Sequence, residues 1–311
     1  MGASTAYTIL SERGIGRVSH NEPMSRHTTF RIGGPATAFV ECDTIGELAN
    51  AIEVAQDCDS PWTIIGKGSN ILVSDRGYDG VAISLGGTFR KFELISRDSD
   101  DGTIDTMVCG AGMVLGRLVE EAFRRGYSGF EFGVGIPGTL GGAVYMNAGT
   151  SEGTIGQVIR SVVVYRPGEG LHRYLRDDLP WIYRYSGIPA GEVVVEAEIN
   201  LVPSVKFYMQ ARMEDSLKRR RNSQPSGFPN AGSIFRNPVG ASAGKLIEDA
   251  GFKGRRFGGA QVSDMHANFI INLGNATAED VLVLITDIRK KVKELYGIEL
   301  QPETKFLGFR S

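Results

Sequence analysis

The sequence predicts an α+β fold in about two domains, and three observations predict it. A chain of 311 residues exceeds what one hydrophobic core usually serves. Short apolar runs bounded by turn residues dominate to about residue 203, and apolar residues at helical spacing dominate after it. Glycine contributes 41 residues, roughly twice its usual share, so turns and close backbone contacts are expected throughout the first part.

Taken in order, residues 1–26 are weakly patterned and read as an N-terminal arm or an opening helix. Residues 27–36, H-T-T-F-R-I-G-G-P-A, read as a strand entering a glycine turn, and T-A-F-V-E-C at 37–42 as a second strand. Thr44 with Glu47 makes a capping box ahead of a helix that runs to about Gln56 on Leu48, Ile52 and Val54. W-T-I-I-G at 62–66 is a short apolar strand. The turn G-K-G-S-N at 66–70 leads at once into the strand I-L-V-S, and V-A-I-S-L, F-E-L-I-S and T-M-V-C-G follow. Residues 114–125 form a helix with Val114, Leu118, Val119, Ala122 and Phe123 on one face and Gly126 at its end. Strands are expected at 158–165, ending in the turn R-P-G-E-G, and at 192–201. The pattern is helical from Lys206 to Arg221, closing in the basic run K-R-R-R. Ser242 precedes a helix over 243–250, and F-I-I-N-L at 269–273 is a strand. Thr277 caps a long helix carrying Val281, Leu282, Ile285, Ile288, Val292 and Leu295. The main boundary falls at about 203, and the first part divides again near residue 86.

Composition excludes several function classes. Lys and Arg (34) nearly balance Asp and Glu (36), a net charge of -2 that predicts neither nucleic acid nor an anionic membrane as partner. Cys42, Cys58 and Cys109 are odd in number and scattered, without C-x-x-C spacing, which favours a reducing compartment over a disulfide framework or zinc. His20, His27, His172 and His266 show no metal-ligand spacing, so no metal is expected. No apolar run approaches a membrane span, and a cytoplasmic protein is the default. Nothing in the sequence specifies the oligomeric state.

Two glycine clusters carry the functional signal. Gly133–Thr150 holds six glycines in eighteen residues, yet Ile136, Leu140, Val144, Tyr145 and Met146 are threaded between them, so the stretch packs where a linker would not. A side-chain-poor loop with exposed amides suits a diphosphate or a flat ring; a tight crossing of strands is the plainer alternative. Gly133-x-Gly135-x-x-Gly138 matches a dinucleotide fingerprint in letters only. It follows a helix, holds Pro137, and its further glycines at 141 and 142 are expected to spoil a helix, so a Rossmann reading is rejected. No P-loop motif occurs. Gly66, Lys67, Gly68, Ser69 and Asn70 form a second turn able to aim successive amides at one point. Two such loops favour one extended dinucleotide lying across both.

At this point the residues carry a resemblance. G-K-G-S-N-I-L-V-S-D together with F-E-F-G-V-G-I-P-G-T-L-G-G-A-V-Y-M-N-A-G resembles the UDP-N-acetylenolpyruvoylglucosamine reductase (UDP-N-acetylmuramate dehydrogenase) family. F-R-I-G-G-P-A near the start, Y-R-Y-S at 183–186, N-A-G-S-I-F-R-N-P at 230–238, Q-V-S-D-M-H-A-N-F-I-I-N at 261–272 and L-Q-P-E-T at 300–304 agree, in order, from about residue 24 to 309. The resemblance implies an FAD-binding domain of the vanillyl-alcohol/p-cresol flavin oxidase type, in two subdomains over 27–203. A C-terminal α+β substrate-binding domain over 204–311 would complete it. It implies contacts to FAD from Gly66, Lys67, Gly68, Ser69, Asn70 and Ile71. A second set is Gly135, Ile136, Pro137, Gly138, Thr139, Gly142, Ala143, Asn147, Ala148 and Gly149. Neither loop holds His or Cys, so FAD is expected to be non-covalent.

The implied reaction is reduction of the enolpyruvyl ether of a UDP-sugar to a lactyl ether in peptidoglycan precursor synthesis. Hydride passes from NADPH to flavin and then to the β-carbon, and a proton goes to the α-carbon. Arg184 is the implied clamp on the enolate, because a guanidinium fork matches a carboxylate and stays charged. Ser233 is the implied proton donor and Glu303 the acid working beside Arg184. Without the resemblance, all three read as ordinary surface or turn residues. Arg219 of the basic run, Gln224, Asn230 and His266 are second-rank substrate contacts; His266 is more often structural. Longer family members insert a loop with a tyrosine between the arginine and the serine. Arg184 and Ser233 lie close in sequence, so this chain resembles the shorter form. The competing reading keeps the flavin and makes the protein an alcohol or lactone oxidase of the same fold.

Overall fold

The structure is a computed structural model that describes residues 2–99 and 102–309. The chain forms two compact units, each discontinuous in sequence. The first comprises Met1–Ser19, Phe39–Gly66 and Ala82–Lys218; the second comprises His20–Ala38, Lys67–Val81 and Arg219–Ser311.

In the first unit an opening helix, Ala3–Glu12, buries Ala3, Ala6 and Leu10 and packs on the helix Ile45–Asp57. The latter starts where its sequence says. Thr44 Oγ1 accepts from the Glu47 amide at 3.2 Å, and Glu47 Oε2 reaches back to the Asp43 amide at 2.6 Å. The framework is an antiparallel five-stranded sheet, in the order Gly170–Leu175, Ile159–Arg166, Val193–Asn200, Gly102–Gly110 and Phe92–Ser99. Its central strand, V-V-V-E-A-E-I-N, is largely buried on both faces and opens on a run of three valines. The helix Leu115–Arg124 buries Leu115, Leu118, Val119 and Ala122, and Gly126 follows it at φ 80°.

The second unit has a continuous apolar core. Ile234, Phe235, Ile247, Phe252, Val262 and Ile270 meet the inner face of the helix Ala278–Tyr296, formed by Val281, Leu284, Ile285, Ile288 and Val292. That helix is capped twice. Thr277 and Asp280 form a reciprocal box, and the two carboxylate oxygens of Asp75 accept from the amides of Ala278 and Glu279 at 2.8 and 3.1 Å. Gly297, at φ 69°, ends it. A three-stranded sheet, Arg256–Phe257, Ala260–Val262 and Ile270–Asn272, lies on this core, and Ile71–Val73 pairs in parallel with Lys305–Leu307.

Two local expectations fail. Residues 27–34 form no strand; the strand begins at Pro35. Phe30, Ile32 and Leu72 belong to the core of the second unit. Thr28 Oγ1 donates to the Ile32 carbonyl at 3.0 Å, Arg31 sits at φ 55° and Gly33 at φ 135°. The segment curls to insert a fully buried Phe30, and an extended ladder would point it elsewhere. The second failure concerns Gly141 and Gly142, which lie inside a helix, Leu140–Tyr145.

Candidate active site

The short glycine-bearing helix explains itself on close contact. Thr139 caps it, its Oγ1 accepting from the Gly142 amide at 3.4 Å. The amides of Leu140 and Gly141 donate to the carbonyls of Met113 and Ala111, each at 2.8 Å. A Cβ on Gly141 would stand 2.9 Å from the Ala111 Cβ, so the helix approaches its neighbour more closely than any side chain permits. Tertiary hydrogen bonds thus offset the roughly 1 kcal/mol per residue that glycine costs in a helix. The Rossmann exclusion stands on other grounds: Glu131–Gly133 is a 3₁₀ turn, not a strand, and the helix has only six residues.

Ahead of that helix, Gly135 at φ 72° and Gly138 at φ 147° turn the backbone through conformations that other residues rarely adopt. Gly135, Pro137 and Gly142 are exposed. Among the described residues the amides of Gly135, Gly138 and Thr139 meet no protein acceptor. Gly66 comes against the same place, since a Cβ there would lie 2.6 Å from Thr139 Oγ1. Gly66 thus adds to the bare backbone around Thr139, and this cradle fits a flat dinucleotide.

Arg184 belongs to the same unit, on a loop tied to the stretch after the helix. Its Nη1 donates to the Gly149 carbonyl at 3.2 Å and its guanidinium lies over the Tyr183 ring, 5.1 Å from the centroid. Asn147 is buried, and both ends of its amide are engaged with protein: Nδ2 with the Ile182 carbonyl at 2.9 Å, Oδ1 with the Gly156 amide at 3.0 Å. Ala143 is buried against the sheet. Both side chains, expected to contact FAD, are engaged within the unit.

Lys67–Ile71, Asn230, Ser233 and Glu303 belong to the second unit, where three segments knot together. Asn70 Nδ2 donates to the Glu303 carbonyl at 3.2 Å, and the Lys305 amide donates to the Asn70 carbonyl at 2.9 Å. The Glu303 amide donates to the Ile234 carbonyl at 2.7 Å, immediately after Ser233. Thr29 Oγ1 donates to the Asn230 carbonyl at 2.7 Å. Asn230 builds the turn: Oδ1 accepts from the Gly232 amide at 2.9 Å and Nδ2 donates to the Phe228 carbonyl at 2.8 Å, with Gly232 at φ 74°. This turn presents a half-buried Ser233. Behind it Asn268 clamps both the amide and the carbonyl of Phe235, at 3.0 and 2.8 Å. Glu303 Oε2 is buried within this knot.

The remaining candidates divide. His266 Nδ1 accepts from the Asn268 amide at 3.1 Å, its ring packs edge-on to Phe269, and burial lowers its pKa below the usual 6.5. Burial thus favours the neutral form of the imidazole. Arg219 is exposed and Gln224 half-buried, while the neighbouring Arg220 is drawn inward, burial lowering its pKa. The sequence signal that singled out Arg219 was only membership of a basic run, which does not separate four adjacent residues. Thr29, Ser186 and Asn268 were not singled out from the sequence; each bonds across a long sequence gap, which leaves no local pattern.

Residues 224–307 match the family model for the C-terminal domain of UDP-N-acetylenolpyruvoylglucosamine reductase, and residues 36–171 match an FAD binding domain. Curated relatives bearing that reductase name include one from Heliobacterium modesticaldum, 43% identical, covering 94% of this chain and 91% of its own. Another, from Agathobacter rectalis, is 41% identical over 93% of each chain, and one from Bacillus subtilis is 38% identical over 96% and 97%. The solved reductase from Thermus caldophilus aligns with a TM-score of 0.81 at 36% identity, over 94% of this chain and 99% of that one. Berberine bridge enzyme from Eschscholzia californica aligns with a TM-score of 0.50 at 16% identity over 65% of this chain and 44% of its own, a likeness of fold alone.

Proposed function

Because this chain belongs to the UDP-N-acetylenolpyruvoylglucosamine reductase family, we propose that it uses NADPH to reduce the enolpyruvyl ether of its UDP-sugar, with Arg184, Ser233 and Glu303 as catalytic residues. Family membership makes it an FAD-dependent oxidoreductase of peptidoglycan precursor synthesis. The observation that supports the site is the close approach of Gly66 to Thr139, which sets bare backbone against the cap of the glycine-bearing helix. Gly66, Gly135, Ile136, Pro137, Gly138, Thr139 and Gly142 would hold FAD, and Lys67–Ile71 are further expected contacts. When bound, FAD supplies the redox chemistry, accepting hydride and passing it on.

The protein's own residues handle charge and proton. Reduction of the enolpyruvyl double bond leaves negative charge on the α-carbon and its carboxylate. Arg184 meets that carboxylate with a fixed positive fork. Ser233 gives its hydroxyl proton to the α-carbon, on a turn that Asn230 and Gly232 hold in one conformation. Glu303, buried at Oε2 beside the same turn, supports the enolate. Arg219 and Gln224 are the remaining candidates for the UDP end. The FAD-binding part would span 27–203 and the substrate-binding part 204–311. Three buried free cysteines support a reducing, cytoplasmic setting, and among the described residues no helix is long and apolar enough to cross a membrane.

The test is spectroscopic. The purified protein should be yellow or take up added FAD, be bleached by NADPH without air, and regain its colour on adding the enolpyruvyl sugar nucleotide. Protein that takes up no FAD, or reduced flavin that the nucleotide leaves unchanged, overturns the reading.

A further inference from the structure

Within the first unit, two loops are stitched together at three points. Ser186 Oγ donates to the Tyr145 carbonyl at 2.9 Å, Asn147 Nδ2 to the Ile182 carbonyl at 2.9 Å, and Arg184 Nη1 to the Gly149 carbonyl at 3.2 Å. Asn147 is 3% exposed and Ser186 1%. The backbone at and beside the stitches is strained. Trp181, Arg184 and Asn147 take φ values of 41°, 58° and 42°, and they are half of the six non-glycine residues with positive φ among those described. Asparagine tolerates that region; tryptophan and arginine do so at about 1–2 kcal/mol each. Such strain persists only where the surroundings over-determine it. Glycine at 184 would remove the strain, so its presence at an arginine points to a need for the guanidinium at that spot.

We propose that Ser186 and Asn147 are positioning residues for the reaction, holding the Arg184 loop in its strained form so that the guanidinium is in place before the substrate carboxylate arrives. This rests on the reading of Arg184 given above. Ser186 fastens the loop on its far side and Asn147 on its near side, so Arg184 lies between two pins. Asn147 reaches further: through the Gly156 amide it sets the start of the short helix Ile155–Val158 against the same loop. Without either pin the segment relaxes towards negative φ and the guanidinium swings away. Pre-organisation of this kind lowers the barrier without adding a contact to the substrate.

The experiment separates the two half-reactions in the FAD-loaded enzyme by stopped flow. Ser186→Ala and Asn147→Ala should each slow reoxidation by the enolpyruvyl nucleotide about 10- to 100-fold. Flavin should stay bound, and reduction by NADPH should stay within about twofold of the parent. Asn147→Asp, which keeps the acceptor for Gly156 and loses the donor to Ile182, gives the same split if Asn147→Ala fails to fold. In an Arg184→Ala background the Ser186→Ala change should cost nothing further, because it acts through the missing side chain. Equal loss in both half-reactions, or losses that multiply in the double variant, overturns the proposal. Reoxidation at the parent rate in Arg184→Ala itself removes the Arg184 reading, a distinct result.

Discussion

The glycine cradle around Thr139 and the knot around Ser233 solve the same problem, presenting chemistry from irregular backbone, with opposite materials. The cradle is made by leaving side chains out: Gly66, Gly135, Gly138 and Gly141 let chains meet where a Cβ has no room or the φ is closed to it. The knot is made by putting amide side chains in: Asn70 and Asn268 bond to backbone groups of other segments, and Asn230 to backbone of its own turn. The first is held by sterics and the second by hydrogen bonds in a buried setting. Damage should therefore take different forms. A side chain added to the cradle should expel the cofactor, whereas an amide removed from the knot should leave buried polar groups unpaired and cost stability.

The largest effect tests whether the knot exists to serve one hydroxyl. Ser233→Ala should lower the rate of flavin reoxidation by substrate about 10²–10⁴-fold while the protein stays yellow; a turnover number unchanged from the parent removes the proton-donor assignment. Asn268→Leu should destabilise the protein by about 2–5 kcal/mol in urea unfolding, because the amide and carbonyl of Phe235 lose their partners inside the core. Gly66→Val should do the converse. It should weaken FAD binding about 10- to 100-fold, read from visible absorbance during dialysis, and leave the core of the second unit alone. If Gly66→Val and Asn268→Leu lose stability and cofactor together in the same proportion, the contrast between the two regions is false. The smallest effect concerns pH. His266 is held neutral with its pKa below 6.5, so the unfolded chain binds the proton more readily. Stability present above that value should fall as the pH drops below it, and His266→Gln should flatten this part of the profile.

The contrast also accounts for what the sequence reveals. Glycine leaves a visible mark because few other residues replace it at positive φ, so both clusters stand out by composition. Periodicity likewise exposed the helix Ala278–Tyr296 and its Thr277 cap. Gly141 and Gly142 misled, because local propensity weighs against a helix there and tertiary contact with Ala111 overrides it. The curl at 28–32 was illegible for the same reason: its stabilising partner, the Asn272 amide, is 242 residues away from Phe30. Arg184, Ser233 and Glu303 carried no signal of their own, and a family resemblance had to supply it.

That distant partner has a consequence during synthesis. Phe30 and Leu72 leave the ribosome early, yet the side chains that enclose them lie between Ala231 and Leu300. Asp75 likewise waits for the amides of Ala278 and Glu279. The second unit is therefore closed by its last-made residues, and contacts of such long range form slowly. A nascent chain halted before residue 278 should expose Phe30 to chaperones and proteases, and a fragment starting at 224 lacks part of its own interior.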